Sequence, residues 1–170
     1  HGALMITVTP PTTLTWNDNI FNCVLGWNGV TSDKWEGDGC TPAGTYRLRK
    51  VFYRKDRVTG LKSTLPIHPI RTSDGWCDDP EHSFYNTFVQ LPIEASHEKL
   101  WREDPCYDIV VALGQNDAPI VPYRGSAIFI HVAAADHRPT KGCVALDLQA
   151  LKTILAGCGP KESIHIRSAN

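Results

Sequence analysis

The chain has 170 residues, of which 42% are hydrophobic and 21% charged, and its formal net charge is −1. This length and composition predict one folded domain over residues 1–170 with a sizeable core. The charge balance disfavours a nucleic-acid partner, which usually needs a basic surface. No apolar run approaches the roughly 18 residues of a membrane-spanning helix, and no segment resembles a secretory signal. We interpret residues 1–4 as a cloning remnant ahead of a native Met5.

Predicted β-strands dominate the chain in its N- to C-terminal order. Alternating or continuously apolar runs predict strands at 5–9, 14–16, 21–25, 45–54, 88–91, 109–113, 126–132 and 163–167. The turn formers Asn17-Asp18-Asn19 predict a hairpin between the second and third of these strands. The alternation in 45–54 changes phase, which indicates a bulge, and the wholly apolar run 109–113 indicates a central strand.

Two helices are predicted among these strands. The first begins at Ser96 as N-cap and extends to about Glu103, and the second follows Asp147 as N-cap and stops at Gly157. The N-terminus of the second helix is expected to place its positive dipole end near Cys143. The fold class is therefore mainly β, a curved β-sandwich or flattened barrel with one or two packed helices.

The most informative segment runs from residue 126 to residue 146. An apolar strand ends at His131, a loop follows, and Thr140-Lys141-Gly142-Cys143 leads into a second apolar run. A cysteine and a histidine at the two ends of one loop can form a thiolate–imidazolium couple, in which the thiolate is the nucleophile. His131 is the predicted general base and Cys143 the predicted nucleophile, with the backbone amides of Gly142 and Cys143 as the oxyanion hole.

Two further groups bear on the imidazole. A backbone carbonyl in the loop 132–140 is expected to orient His131, and the Asp136 carboxylate is the side-chain alternative. His137, nearer in sequence to Cys143, is the competing base.

Of the six cysteines, five remain if Cys143 is a free nucleophile, so at most two disulfides can form. No C-x-x-C pair occurs, which argues against a zinc site, and the predicted chemistry needs no metal or organic cofactor.

These motifs resemble the L,D-transpeptidase catalytic domain family of the YkuD type. The histidine, the loop and Thr-x-Gly-Cys resemble its signature, and Asp38-Gly39-Cys40-Thr41-Pro42-Ala43-Gly44 resembles its Asp-Gly-x-Thr-Pro-x-Gly segment. Trp76-Cys77-Asp78-Asp79-Pro80 and Ser96-His97-Glu98 resemble a compact, single-domain branch of the family. The chain departs from the commonest pattern at Lys141, where His is frequent, and at Ala145, where Asn or Arg is frequent.

The resemblance implies the YkuD fold and a peptidoglycan L,D-transpeptidase. Cys143 would form a thioester with a donor stem peptide, and the side-chain amine of meso-diaminopimelate on an acceptor stem would resolve it, giving a 3–3 or a 1–3 cross-link. Resolution by water would make the protein a carboxypeptidase or endopeptidase, and a non-catalytic wall-binding module is the alternative of another class. We expect a monomer in the periplasm or cell envelope.

Substrate carboxylates and polar groups need anchors on the protein. The residues predicted to supply them are Lys141, Thr140, Arg138, Tyr85, Arg57 and Arg102.

Overall fold

The computed structural model describes residues 5–169, so the predicted cloning remnant at 1–4 lies outside the described residues. The strands are β1 Met5–Thr9, β2 Thr13–Trp16, β3 Asn19–Asn22, β4 Val30–Thr31, β5 Thr41–Pro42, β6 Gly44–Tyr53, β7 Ile67–Pro69, β8 Asp74–Cys77, β9 Phe88–Gln90, β10 His97–Lys99, β11 Ile109–Leu113, β12 Phe129–Val132, β13 Val144–Leu146 and β14 Ser163–Ile166. A 3-10 helix spans Pro105–Tyr107, and helix α1 spans Leu148–Gly157.

A nine-stranded sheet forms the body of the protein, in the order β13-β12-β11-β6-β14-β1-β2-β3 with β7 paired to β6. The two ends of this order meet, because Val24, just after β3, pairs antiparallel with Ala145 of β13. The Val24 amide donates to the Ala145 carbonyl over 2.9 Å, and the Ala145 amide donates to the Val24 carbonyl over 2.8 Å. The sheet is thus a nearly closed barrel, which confirms the prediction of a mainly β, barrel-like fold.

Three local features of the predicted strands are confirmed, although the strand predicted at 21–25 is Asn19–Asn22 and the one predicted at 126–132 begins at Phe129. Asn17 and Asp18 have φ values of 48° and 65°, the left-handed pair that a two-residue hairpin turn requires. Opposite β11, Ala112 pairs with Lys50 and Leu113 pairs with Leu48, so β6 carries the predicted bulge. Every residue of β11 is buried, as expected of a strand with neighbours on both sides.

Strand β12 faces two different cores because successive side chains of a strand point to opposite faces. Ile130 and Val132 belong to the large core, which also receives the buried face of α1 through Leu151, Ile154 and Leu155. Phe129 belongs to a second, smaller cluster that includes Cys143 and Tyr107. His131 follows Phe129 on that second face, the face on which Cys143 also packs.

The prediction of a helix from Ser96 to Glu103 is wrong. His97–Lys99 forms strand β10, with Glu98 opposite Trp76 of β8. The Ser96 hydroxyl donates to Asp78 over 2.6 Å and caps no helix. The segment is too short before Pro105 to gain much from helical hydrogen bonds, and pairing with β8 supplies its backbone with partners instead.

The second helix has the predicted bounds, but its role near the nucleophile is not as predicted. Strand β13 separates Cys143 from α1, and a strand rises about 3.3 Å per residue, so the helix N-terminus lies at the opposite end of β13. The Asp147 side chain makes no capping bond and pairs with His137 instead.

All six cysteines lie within the described residues and are buried free thiols, so none of the disulfides that the sequence allowed is formed there. Within residues 5–169, the structure has no helix of the length and apolarity needed to traverse a lipid bilayer.

Candidate active site

Strands β12 and β13 run parallel and side by side, with Ile130 opposite Val144 and His131 opposite Ala145. The loop 133–143 returns the chain to the start of β13, so that Cys143 arrives beside the start of β12. Cys143 and His131 then line the same cavity, of about 430 Å³. The structure therefore brings together the two residues that the sequence predicted as nucleophile and base.

The Cys143 sulfur is held in a buried, hydrogen-bonded position. Its thiol donates to the Ala127 carbonyl over 3.2 Å, and the Phe129 amide donates to the sulfur over 3.4 Å. Burial raises the pKa of Cys143 to about 12, and the negative charge of Glu98 adds to the rise. Cys143, the predicted nucleophile, is therefore a neutral thiol whose proton points at a carbonyl.

The His131 imidazole is oriented by the backbone. Its Nδ1 lies 2.9 Å from the carbonyl oxygen of Val132, the next residue. That carbonyl can only accept, so we assign the proton to Nδ1, which leaves Nε2 as a free acceptor. Burial lowers the pKa of His131, so the neutral ring is favoured. Both shifts favour the neutral pair over the thiolate–imidazolium couple that the sequence allowed.

The two alternatives for the imidazole are located elsewhere. Asp136, the proposed side-chain partner of His131, accepts from the amide and guanidinium of Arg138. His137, the competing base, is exposed and pairs with Asp147 over 2.9 Å. The backbone carbonyl predicted within loop 132–140 is thus the group that orients the ring.

A test of this resting state is the pH dependence of Cys143 alkylation by iodoacetamide. Because the thiolate is the reactive form and the pKa is raised to about 12, the rate at Cys143 is expected to rise about tenfold per pH unit from neutral pH to above pH 10, without a plateau. Peptide mass analysis isolates the label on Cys143 from that on other cysteines. A plateau already reached at neutral pH would show a preformed ion pair and contradict the assignment.

Gly142 lets the nucleophile loop approach the segment around Cys40. Its φ is +146°, and a Cβ placed on it would lie 2.8 Å from the Cys40 carbonyl oxygen. Thr140 tightens the same loop, since its hydroxyl donates to the Cys143 carbonyl over 2.7 Å and accepts from the Gly142 amide over 3.1 Å. Of the two predicted oxyanion donors, the Gly142 amide is therefore already engaged.

One protein family matches almost the whole chain. The family model of the YkuD L,D-transpeptidase catalytic domain matches residues 5–166. The chain belongs to the YkuD family. No curated protein matches it significantly.

Two solved structures are similar to this YkuD chain at low identity. L,D-transpeptidase 1 of Mycobacterium tuberculosis is 11% identical, with a TM-score of 0.45, and the match covers 98% of this chain and 60% of the other. An L,D-transpeptidase from Mycobacterium smegmatis is 12% identical, with a TM-score of 0.42, covering 97% of this chain and 58% of the other. The chain thus spans less than two thirds of the length of either protein.

Most of the predicted substrate contacts of the YkuD chain line its cavity. They are Lys141, Thr140, Arg138 and Arg102. Arg57 does not line it, because its guanidinium binds Asp108 and the carbonyls of Glu103 and Asp104. Tyr85 is also misassigned: its ring is buried, and its hydroxyl donates to Glu36 over 2.6 Å.

Two buried residues that hold the backbone around Cys143 in place, Asn86 and Lys34, were not predicted from the sequence. Ala127 has a φ of +54°, unusual for a residue with a side chain, and its amide donates to the Oδ1 of buried Asn86 over 3.0 Å. Asn86 thereby holds the carbonyl that receives the Cys143 proton. Lys34, also buried, donates to the Cys40 carbonyl over 2.8 Å and pairs with Asp38. No local pattern distinguishes Lys34 from a surface lysine.

The Gly142→Ala variant tests the approach of the nucleophile loop. The added methyl group meets the Cys40 carbonyl, and left-handed backbone strain adds about 1–3 kcal/mol of destabilisation. Displacement of the loop is expected to slow acylation of Cys143 by about 10²-fold. Mass spectrometry of the acyl-enzyme and a thermal melt measure the two effects.

The matched control is Gly60→Ala. Gly60 has a φ of +70°, but a Cβ added to it would meet no atom within 4 Å, and it does not line the cavity. This variant should lose stability while acylating at the normal rate. Equal acylation rates for the two variants would contradict a role for the close approach at Gly142.

Proposed function

We propose that this YkuD domain is a peptidoglycan L,D-transpeptidase that acts through a Cys143 thioester. The observation that supports this most directly is the shared cavity of Cys143 and His131, with the imidazole Nδ1 tied to the Val132 carbonyl. That bond leaves Nε2 available to accept the thiol proton, which is the arrangement that nucleophilic cysteine catalysis requires.

Acylation begins when the Cys143 sulfur attacks a peptide carbonyl of the donor stem. His131 Nε2 takes the thiol proton as the S–C bond forms and returns it to the leaving amine as the C–N bond breaks. Because both groups rest in the neutral state, charge separates only on attack, once the substrate has filled the cavity. The thiol must also turn away from the Ala127 carbonyl, 3.2 Å from it in the resting state.

The oxyanion of the tetrahedral intermediate needs preorganised donors. The Cys143 amide serves as one, and the Gly142 amide as a second when it exchanges the Thr140 hydroxyl for the substrate oxygen. Loss of a single such donor typically costs about 10²–10³ in rate. The geometry of loop 140–143 therefore contributes to catalysis in addition to the thiol.

Charged groups of both signs surround the nucleophile. The cavity is lined by Lys34, Glu36, Asp78, Glu98, Arg102, Arg138 and Lys141. This mixture suits a stem peptide carrying free carboxylates together with the amine of diaminopimelate. The acceptor amine resolves the thioester to a 3–3 or a 1–3 cross-link. Such a substrate lies outside the cytoplasmic membrane, so the proposal places the protein in the periplasm or cell envelope, acting as a monomer.

Purified muropeptides incubated with the protein test the proposal. Cross-linked dimers detected by mass spectrometry indicate transfer, and their fragmentation distinguishes 3–3 from 1–3 links. Shortened monomers alone would indicate the hydrolase with the same Cys–His pair. The absence of any acyl-enzyme or product would overturn the enzymatic function and favour a wall-binding module.

A further inference from the structure

Glu98 lines the cavity, and only one of its two carboxylate oxygens accepts a hydrogen bond from the protein. It lies on β10 and lines the same cavity as Cys143 and His131. Its Oε1 accepts from the Tyr107 hydroxyl over 2.8 Å. Among residues 5–169, its other oxygen has no hydrogen-bond partner, and none of the ion pairs involves Glu98.

Tyr107 connects this carboxylate to the catalytic pair. Its buried ring packs edge-on against the His131 imidazole, with ring centroids 5.4 Å apart. The charge of Glu98 also raises the pKa of Cys143, so the two groups are within electrostatic reach across the cavity. A charged group held this close to the nucleophile, without a cation to pair with among the described residues, is available for a substrate.

The environment of Glu98 favours proton uptake. Burial raises its pKa, and the negative charge of Asp78 acts in the same direction. The Tyr107 hydrogen bond and the positive charges of Arg102 and Lys141 act in the opposite direction without reversing the rise. Glu98 is therefore a stronger base than an exposed glutamate.

During transfer to an amine, the acceptor nitrogen loses two protons, and His131 can accept only one of them. The acceptor arrives as an ammonium ion, because the pKa of an alkyl amine is about 10. It must lose one proton before its nitrogen can attack the thioester, and the amide nitrogen loses a second as the product forms. His131 can deliver one of these to the departing sulfur. The other needs a different acceptor in the cavity.

Building on the proposed transpeptidase function, we propose that Glu98 binds the acceptor ammonium and removes its first proton. The ammonium pairs with the carboxylate and transfers a proton to it, which leaves a neutral amine beside the thioester. The amine nitrogen bonds to the thioester carbon, the C–S bond breaks, and His131 passes the second proton to the Cys143 sulfur. Glu98 then releases its proton to solvent.

This role separates transfer from hydrolysis. Water needs a single base to attack the thioester, and His131 supplies it. Acylation likewise uses only Cys143 and His131. Glu98 thus selects an amine over water as the acceptor, and its loss should impair cross-linking while leaving the earlier step intact.

The Glu98→Gln variant tests the proposal with muropeptides as donor and acceptor. Glutamine keeps the size of the side chain and an oxygen for the Tyr107 hydroxyl, but it cannot take up a proton. Dimer formation at neutral pH is expected to fall about 10²-fold. Acyl-enzyme formation should not slow, because removal of the Glu98 charge relieves part of the rise in the Cys143 pKa, and hydrolysis should persist. The deficit relative to the unaltered protein should shrink as the pH approaches the pKa of the free amine, about 10.

The Glu94→Gln variant, on the exposed loop before β10, is the matched control and should cross-link normally. Normal dimer formation by Glu98→Gln would overturn the proposal. So would a loss of acylation that parallels the loss of dimers, or a deficit that persists at high pH. A lack of acyl-enzyme in the unaltered protein would instead refute the proposed function itself, independently of Glu98.

Discussion

Replacement of Cys143 by alanine is expected to eliminate the acyl-enzyme and lower cross-link formation by on the order of 10⁶-fold. The sulfur is the only heavy atom lost, and the His131 imidazole and loop amides that remain cannot form a thioester without it. The folded protein should persist, since removal of one buried atom costs about 1 kcal/mol. Intact-mass measurement after incubation with muropeptides, together with a thermal melt, records both outcomes.

Cys158→Ala is the matched control for that variant. Cys158 is another buried thiol, beyond the end of α1, where its backbone carbonyl accepts from Thr64. The same truncation there should reduce stability to a similar degree and leave acylation unchanged. Residual acylation of Cys143→Ala, at any site, would contradict the assignment of the nucleophile.

His131→Asn is expected to slow acylation by about 10²–10⁴-fold with little change in melting temperature. The asparagine amide can reproduce the donation from Nδ1 to the Val132 carbonyl, a bond of 2.9 Å in the structure. Asparagine has no counterpart of Nε2, so the loss of acylation rate measures proton transfer and not a structural change at the end of β12. Single-turnover acylation, followed by intact mass, gives the rate.

The competing base provides the control for His131→Asn. His137 has a φ of +53°, a conformation that asparagine adopts readily, and its ring is exposed. His137→Asn should acylate at the normal rate. A large loss there, with a small loss at position 131, would reverse the roles of the two histidines.

The sequence predicted those parts of the fold that follow from local chemistry. Asn17-Asp18 specifies its own turn, and the apolar run 109–113 can be satisfied only between two other strands. The placement of Cys143 and His131 in one cavity was predictable for a similar reason, because one loop between two neighbouring strands joins them. The family resemblance implied the overall architecture, the YkuD fold.

The errors have a common physical origin in partners distant in sequence. The helix at 96–103 was predicted from Ser96 as an N-cap residue, yet β8 offers this segment backbone hydrogen bonds that outweigh the local signal. Arg57 and Tyr85 were predicted to bind substrate, but Asp108 and Glu36, distant along the chain, already engage them. The ionic state of the nucleophile was equally inaccessible, since burial around Cys143 and His131 decides it.

The junction that closes the barrel also positions Cys143. Val24 bonds to Ala145, and Leu25 and Trp27 bond to Thr140, so the junction brackets Cys143 on both sides. Local opening of this junction on heating would therefore displace Cys143 before the rest of the sheet unfolds. Loss of the proposed acylation activity on heating should precede global unfolding. Insertions or deletions within residues 140–145 should be poorly tolerated for the same reason.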